Sequence, residues 1–251
     1  MSTITTTTNA TTTTTFSSTI NPLVTENQIS ARINTTAEKF KKWDPRDHIP
    51  STVQQLLNKP SSNYRLAFLN VIQQLKIQKR TGWLDYGMTE CESIADHMYR
   101  MSCICMMITN PLVNRDKCMR IALVHDMAES IVGDITPVNP IGKKEKSRRE
   151  WETIKYICED LVKPISPLTS KEIMEDWLSY ENVSSLEARY VKDIDKYELL
   201  VQCFEYEQQF QGTKNFDEFF QAVELIKTEE VKKWVNELTT LRDEYFKSLK
   251  N

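Results

Sequence analysis

The sequence has few of the glycines from which phosphate-binding loops are built. Only 5 of its 251 residues are glycine, and neither G-x-x-x-x-G-K nor G-x-G-x-x-G occurs. The 32 lysines and arginines do not outnumber the 35 acidic residues, so no basic excess predicts binding to nucleic acid. No apolar stretch approaches the roughly 18 residues that span a bilayer. These absences exclude P-loop and Rossmann sites, and we expect neither nucleic acid nor a membrane as a partner.

Cysteine pairs with the spacing of a redox or zinc motif are also missing. The 6 cysteines are scattered, mostly inside apolar helical patterns, and no C-x-x-C occurs. Buried, reduced thiols are typical of a reducing compartment. We therefore expect a cytoplasmic protein and leave the nucleus open as a second compartment.

The composition divides the chain into three regions. Residues 1–30 are mostly Thr, Ser, Asn and Ile, which bury too little apolar area to offset the entropy of ordering, so a disordered tail is predicted. Residues 31–61 are predicted to form an N-terminal arm, because prolines interrupt a weak apolar pattern there. Residues 62–251 are predicted to form one all-α domain.

Apolar residues recur at intervals of three and four along this third region, whereas strand-like alternation is absent. The predicted helices cover residues 63–80, 93–109, 114–132, 143–161, 184–210, 216–226 and 229–249. The predicted apolar face of the first helix consists of Leu66, Leu69, Ile72 and Leu75. Asn114 is placed to cap one later helix, and Ser184 or Ser185 another.

The strongest chemical signal lies in R-I-A-L-V-H-D-M-A-E-S-I-V-G-D, residues 120–134. On a helix, His125 and Asp126 are about 100° apart, so both reach a point between their two directions. Glu129 follows on the same face one turn later. Charge on so apolar a helix is costly unless it is paired or bound to metal, so this cluster predicts a bound cation.

Two further segments offer partners for this cluster. His97 lies inside an apolar helical pattern, whereas His48 lies in a proline-flanked stretch and is predicted to be a surface residue. Asp195 lies close to an apolar face, and Asp193 points elsewhere. Two imidazoles and two carboxylates suit an open site for a divalent ion, and missing thiolates argue against a closed zinc site. We leave the ion open among Mn, Co, Mg, Fe, Ni and Zn.

The order H, then H-D, then D, all in predicted helices, resembles the HD-domain superfamily of metal-dependent phosphohydrolases. W-L, E-S-I-A-D-H-M-Y-R-M, A-L-V-H-D-M-A-E-S-I-V-G-D-I and K-x-x-D together look like its 5′-deoxynucleotidase branch. The resemblance spans about residues 63–241. It implies a helical bundle that forms a homodimer and hydrolyses deoxyribonucleoside 5′-monophosphates to deoxynucleoside and phosphate.

The resemblance also implies roles for individual residues. The metal would be held by His97, His125, Asp126 and Asp195. Glu129 would position or deprotonate the attacking water, and a second divalent ion would lie among Glu129, Asp134 and the backbone of Ile135. The substrate would contact Arg80, Trp83 and Asp134.

Several of these roles have alternatives. Bacterial members place an arginine directly before the tryptophan, whereas Gly82 precedes Trp83 here and the nearest basic residue is Arg80. Trp83 either packs against the sugar and excludes a 2′-hydroxyl or is a core aromatic residue. Glu129 either handles the water or only orients a histidine, and Asp134 is either a pocket residue or a turn residue.

Two broader alternatives also stay open. Another HD-type nucleotide phosphohydrolase or phosphodiesterase would have the same ligand set. A non-catalytic helical scaffold would be favoured by a missing ligand, and none is missing. The mixed-charge run K-K-E-K-S-R-R-E, residues 143–150, is predicted to be a solvated helix face rather than a phosphate clamp.

Overall fold

The computed structural model describes residues 43–58 and 60–250. The predicted tail, and the arm up to residue 42, lie outside the described residues. Within the described part the chain is helical, which confirms the predicted all-α fold. The helices are α1 (Ser51–Leu57), α2 (Tyr64–Ile72), α3 (Gln74–Ile77), α4 (Thr81–Asp85), α5 (Ile94–Cys105), α6 (Arg115–Val124), α7 (Glu129–Val132), α8 (Lys143–Tyr156), α9 (Pro167–Asn182), α10 (Leu186–Gln209) and α11 (Glu229–Ser248). Shorter turns of 3-10 helix cover Pro45–Asp47 and Asp217–Leu225, and a π-helical turn covers Ile157–Val162.

Helix α6 lies at the centre of the bundle, where it packs against α5, α9 and α10. It begins where predicted, because the Asn114 side chain accepts the N–H of Lys117 at 3.1 Å. Cys118, Ile121 and Ala122 are fully buried along one side. This burial fixes the helix, and its C-terminal end carries the histidine and aspartate of the predicted site.

Two other helices bring the remaining predicted ligands to that end. Helix α5 starts with a capping box, in which Ser93 and Asp96 each bond the other's backbone N–H. Helix α10 is capped by Ser185, one of the two predicted serines, which accepts the N–H of Ala188 at 3.1 Å. The main core lies among α5, α6, α10 and α11, and a second lies among α1, α2, α8 and α9.

The helix predicted over residues 114–132 is wrong in one respect, because α6 ends at Val124 and α7 starts at Glu129. The His125 ring bonds the carbonyl of Ala122 at 2.8 Å, and a continuous helix would give that carbonyl to the N–H of Asp126. The following backbone bonds span three residues, as from Glu129 N–H to the Asp126 carbonyl at 2.9 Å. The side chain therefore interrupts the helix at the site.

The predicted apolar face of residues 63–80 is also partly wrong. Leu66 and Leu69 are 46% and 47% exposed, whereas Ala67 and Val71 are fully buried. Both pairs have helical spacing, so the pattern alone did not distinguish the two faces. The packing of α2 on α1 decides which face is buried.

The structure also bears on the predictions for the remaining helix, for His48, for the cysteines and for a membrane span. Helix α9 was not predicted, although Ile173, Met174, Trp177 and Leu178 have helical spacing. His48 is exposed, as predicted, and stacks on Trp43. All six cysteines are unpaired, and all but Cys103 are buried. None of the helices in the described ranges is both long and apolar enough to cross a membrane.

Candidate metal centre and active site

Four predicted ligands from three segments converge at the C-terminal end of α6. The Oδ2 atom of Asp126 lies 3.0 Å from His125 Nε2 and 4.0 Å from His97 Nε2. Asp195, on α10, places Oδ1 3.3 Å from His97 Nε2. Ligand atoms of His97, His125 and Asp195 lie within 4.8 Å of one another, which is close enough for one ion to reach all three.

Hydrogen bonds fix the tautomer of each histidine. His125 donates its Nδ1 proton to the Ala122 carbonyl at 2.8 Å, and His97 Nδ1 bonds Glu198 Oε2 at 2.5 Å. Both Nε2 atoms are buried and have no hydrogen-bond partner among the residues that the structure describes. Unpaired buried nitrogen is costly, so both rings are oriented for a ligand that binds at Nε2.

Glu198 is a functional residue that the sequence analysis missed. It is fully buried three residues after Asp195 on α10, and Arg100 donates to its Oε1 atom at 2.8 Å. Burial raises the pKa of Glu198, but His97 and Arg100 outweigh it and lower that pKa overall. Carboxylates commonly orient metal-binding histidines in this way. The three-residue spacing from Asp195 was the available signal.

The charges around His97 determine its proton affinity. Burial and the charge of Arg80 lower the pKa of His97, but the carboxylates of Glu198 and Asp195 outweigh them and raise it to about 10. An ion bound at Nε2 would compete with this proton.

Tyr180, from the unpredicted helix α9, holds the fourth ligand. Its hydroxyl donates to Asp195 Oδ2 at 2.7 Å, which leaves Oδ1 facing His97. Burial and the charge of Asp195 raise the pKa of Tyr180 well above its usual value, so the hydroxyl stays a donor. Asp193 points away from the site, as predicted, and accepts the N–H of Thr228 at 2.7 Å.

Arg80 reaches the site from the segment that precedes α4. The Arg80 N–H bonds the Glu92 carbonyl at 3.1 Å, and the guanidinium donates to Asp126 Oδ2 at 3.3 Å. Burial lowers the pKa of Arg80, but Asp126 and Asp134 outweigh it and raise that pKa overall, so the side chain stays charged. Arg80 therefore supplies a fixed positive charge beside the ligands.

A cavity of about 770 Å³ opens onto these groups. Its lining includes most of the residues that the sequence singled out: Arg80, Trp83, His125, Asp126, Glu129, Asp134, Ile135 and Asp195. His97 is fully buried behind this wall. The predicted metal, catalytic and substrate residues therefore lie around one space.

Trp83 is both a core residue and part of this wall. It is 1% exposed, and its indole N–H donates to Glu92 at 3.0 Å. Its ring meets Tyr206 and Phe216 edge-on, with centroids 5.1 and 5.6 Å away, and lies 5.1 Å from Phe219. This packing fixes the indole at the edge of the cavity.

Glu129 lies in the same wall and is 3% exposed. Its Oε2 atom has no hydrogen-bond partner within residues 43–58 and 60–250. Burial raises the pKa of Glu129 well above its usual value, and Asp126 and Asp134 add to this effect. A carboxyl group with a raised pKa binds a proton more readily, which suits a general base.

Asp134 is positioned by the glycine before it. Gly133 ends α7 with φ of +81°, a backbone conformation that other residues rarely adopt. The turn directs Asp134 to the Thr81 N–H, which its Oδ2 atom accepts at 2.7 Å. Next to it, the Ile135 carbonyl accepts a hydrogen bond from the ammonium of Lys146 at 2.9 Å.

Comparison with known proteins decides the family. The HD-domain family model matches residues 72–239, about two thirds of the chain. The chain belongs to the HD-domain family. The chain is 66% identical over 208 residues to the 5′-deoxynucleotidase YBR242W of Saccharomyces cerevisiae, covering 83% of this chain and 87% of that protein.

Other relatives have the same named activity. The 5′-deoxynucleotidase YGK1 of S. cerevisiae is 58% identical, covering 83% of this chain and 97% of that protein. Human 5′-deoxynucleotidase HDDC2 is 47% identical over 142 residues, covering 57% of this chain and 68% of that protein. The solved HD domain-containing protein YGK1(YGL101W) aligns with a TM-score of 0.65 at 49% identity, over 81% of this chain and 99% of that one.

The donor set of this HD-domain site fits a divalent metal ion. Two neutral imidazole nitrogens and two carboxylates are ligands for such ions, and the unpartnered Nε2 atoms of His97 and His125 are the strongest structural sign. The HD family is metal-dependent, which agrees with the predicted need for a divalent ion. Ligands in the wall of a cavity leave room for water and a substrate.

The solvated face predicted for residues 143–150 is wrong for part of the helix. Lys146 and Glu150, one turn apart on α8, line the cavity of the HD domain, and Trp151 beside them is buried. Burial raises the pKa of Glu150 to about 7 despite the ammonium of Lys146. The charge run shows both signs at helical spacing, and only the packing of α8 on α7 indicates which turn faces the site.

Proposed function

We propose that this HD-domain protein is a metal-dependent 5′-deoxynucleotidase, which hydrolyses deoxyribonucleoside 5′-monophosphates to a deoxynucleoside and phosphate. The observation that carries the proposal is a pair of unpartnered histidine Nε2 atoms next to two carboxylates, and these carboxylates line a cavity. The reaction and substrate class agree with the names of relatives that are 66% and 58% identical.

His97, His125, Asp126 and Asp195 would hold the ion. When bound, a divalent ion lowers the pKa of a water molecule and offsets charge on phosphoryl oxygens. Around that chemistry, Glu198 and Ala122 orient the two imidazoles, and Tyr180 orients Asp195.

Glu129 would take the proton of the attacking water. Its free Oε2 atom and raised pKa support this role. Glu129→Gln keeps the shape and removes the base, so we expect kcat to fall by about 10²–10⁴ while the ion held by the other four residues is retained. Steady-state kinetics and elemental analysis of the same preparation test this, and near wild-type kcat would remove Glu129 from the mechanism.

A second divalent ion among Glu129, Asp134 and the Ile135 carbonyl remains part of the proposal. In the structure the Lys146 ammonium faces the Ile135 carbonyl and a Glu129 oxygen, so a second ion at these oxygens would have to displace it. Elemental analysis at saturating metal should then give two ions per chain. One ion per chain in the wild type, with the same content in Glu129→Gln, would argue against the second site.

Arg80 would bind the phosphate, and Trp83 would exclude a ribose 2′-hydroxyl by steric contact. Trp83 lies at the cavity wall and is held rigidly by its aromatic neighbours. Trp83→Ala should therefore lower the ratio of kcat/KM for dAMP to kcat/KM for AMP. A packing defect alone would lower both values in proportion and leave the ratio unchanged, which would contradict this role.

The function itself is tested by phosphate release from a panel of substrates. The panel contains deoxy- and ribonucleoside 5′-monophosphates, a cyclic nucleotide and a nucleoside triphosphate, each with chelated enzyme as control. Metal-dependent release that is fastest with the deoxynucleoside monophosphates is expected. Turnover of only the cyclic nucleotide or the triphosphate would instead identify another HD-type phosphohydrolase, and no turnover would favour a scaffold.

We also propose that two chains form a homodimer in the cytoplasm. Leu69, Tyr99 and Leu123 are 47%, 69% and 48% exposed and line one surface depression on α2, α5 and α6. A second copy would cover this apolar area. Light scattering should give twice the mass of one chain, and an active, concentration-independent monomer would contradict the dimer.

The proposed cytoplasmic location is supported by the six unpaired cysteines, which suit a reducing compartment.

A further inference from the structure

The ammonium of Lys146 joins three parts of the site. It donates to the Ile135 carbonyl at 2.9 Å and lies 3.7 Å from Glu129 Oε1 and 3.5 Å from Glu150 Oε1. Its side chain is 29% exposed, so the charge is shielded from much of the solvent. One cation therefore connects helix α8 to the Glu129 carboxylate and to the backbone that follows Gly133.

Glu129 has little else to hold its carboxylate. In the described part of the chain, Lys146 is the only residue with which it forms an ion pair, and its Oε2 atom lacks a hydrogen-bond partner. A glutamate has three rotatable bonds, so a single anchor on Oε1 strongly affects where Oε2 points. Misplacing a reacting group by about 1 Å costs up to about 10² in rate.

We propose that Lys146 is a positioning residue that holds the Glu129 carboxylate and the Ile135 backbone in the arrangement used for hydrolysis. Glu150, one turn along α8, holds the ammonium from its other side. This inference rests on the proposed role of Glu129 in the nucleotidase reaction.

A competing explanation is that Lys146 binds the substrate phosphate directly, since it also lines the cavity. The two explanations differ in kinetics. A positioning residue acts on the rate of the chemical step through Glu129, whereas a phosphate ligand contributes to substrate binding whether or not Glu129 is present.

The first experiment compares three single variants of the full chain with dAMP. Lys146→Met removes the charge and keeps most of the stem, Lys146→Arg restores a charge, and Lys144→Met makes the same change at an exposed position of α8. We expect Lys146→Met to lower kcat about 10- to 100-fold with KM within about twofold, and with bound metal unchanged. Lys146→Arg should recover part of kcat, and Lys144→Met should match the wild type.

The second experiment combines Lys146→Met with Glu129→Gln. If Lys146 acts through Glu129, the double variant has the same residual kcat as Glu129→Gln alone. The inference is overturned, and a phosphate ligand is favoured, if Lys146→Met lowers kcat by the same factor in the Glu129→Gln background as in the wild type. The same holds if Lys146→Met alone raises KM and leaves kcat unchanged. Wild-type kinetics of Lys146→Met would overturn it as well.

Failure to fold is handled by a milder variant. Glu150→Gln releases the ammonium from its other side and keeps the shape of the residue, so a smaller loss of kcat is expected, and this loss should vanish in the Glu129→Gln background. A loss that persists there overturns the inference. Failure of the proposed function differs from all these results, because the wild-type chain would then release no phosphate from dAMP.

Discussion

Two clusters of buried charge in this protein differ in how completely they are paired. Away from the cavity, Arg242 donates to both oxygens of Glu207 at 2.6 Å and stacks above Phe220 at 4.0 Å. Glu207 also accepts the N–H of Phe216 at 2.9 Å. This cluster satisfies the charge that it buries.

The cluster of predicted ligands at the end of α6 does not satisfy all the polar groups that it buries. The Nε2 atoms of His97 and His125 and the Oε2 atom of Glu129 find no hydrogen-bond partner in the described residues. Both clusters lie inside the same helical bundle, so burial alone does not separate them. The difference indicates that complete pairing serves stability, whereas unsatisfied groups around a cavity are kept for a ligand.

The largest effect is expected when the unsatisfied cluster loses a ligand. Asp126→Ala removes the carboxylate that lies 3.0 Å from His125 Nε2, so bound metal and phosphate release should be lost together. Elemental analysis and activity on one preparation measure both. Asp116→Ala, an exposed change on α6, serves as control. Full metal occupancy and turnover in Asp126→Ala would refute the assigned coordination.

The paired cluster should respond in stability rather than activity. Arg242→Met leaves Glu207 buried without its cation, and breaking such a pair costs about 3–5 kcal/mol in the free energy of unfolding. Chemical denaturation measures this loss, and bound metal should be unchanged below the unfolding transition. Glu207→Gln with Arg242→Met removes both charges and should be less destabilising. If the double variant were the less stable one, the pairing argument would fail.

The smallest expected effect is a gain in the free energy of unfolding rather than a loss. With metal removed by a chelator, Glu129→Gln should raise the free energy of unfolding by about 1 kcal/mol at pH 8, a Tm increase of about 2–4 °C. The reason is that burial raises the pKa of Glu129, so the folded chain binds that proton more tightly than the unfolded chain.

The pH dependence checks the sign of this last prediction. Because the folded-state pKa is raised, wild-type stability from this group increases as pH falls towards the ordinary glutamate pKa of about 4.3. The advantage of Glu129→Gln should therefore shrink on acidification. Glu244→Gln, an exposed change on α11, should have no effect at either pH. A destabilised Glu129→Gln at pH 8 would show that the carboxylate is satisfied in the folded chain.

Much of the fold was accessible from sequence because helices depend on neighbouring residues. The Asn114 and Ser185 caps act on backbone groups within three residues, and the apolar spacing repeats within one or two turns. Where these local rules allow two answers, prediction failed. The exposed Leu66 and the buried Ala67 both fit a helical stripe, and only the packing partner distinguishes them.

By itself, the sequence determined the helical class and the family, and it predicted which residues would bind metal, since adjacent His125 and Asp126 within an apolar segment are a local signal. Tertiary structure alone decided which groups support them. Glu198 lies 101 residues from His97, and Tyr180 lies 15 residues from Asp195. Lys146 meets Glu129 only because α8 packs on α7. Such pairings depend on the direction of side chains across packed helices, and no local pattern of residues carries that direction.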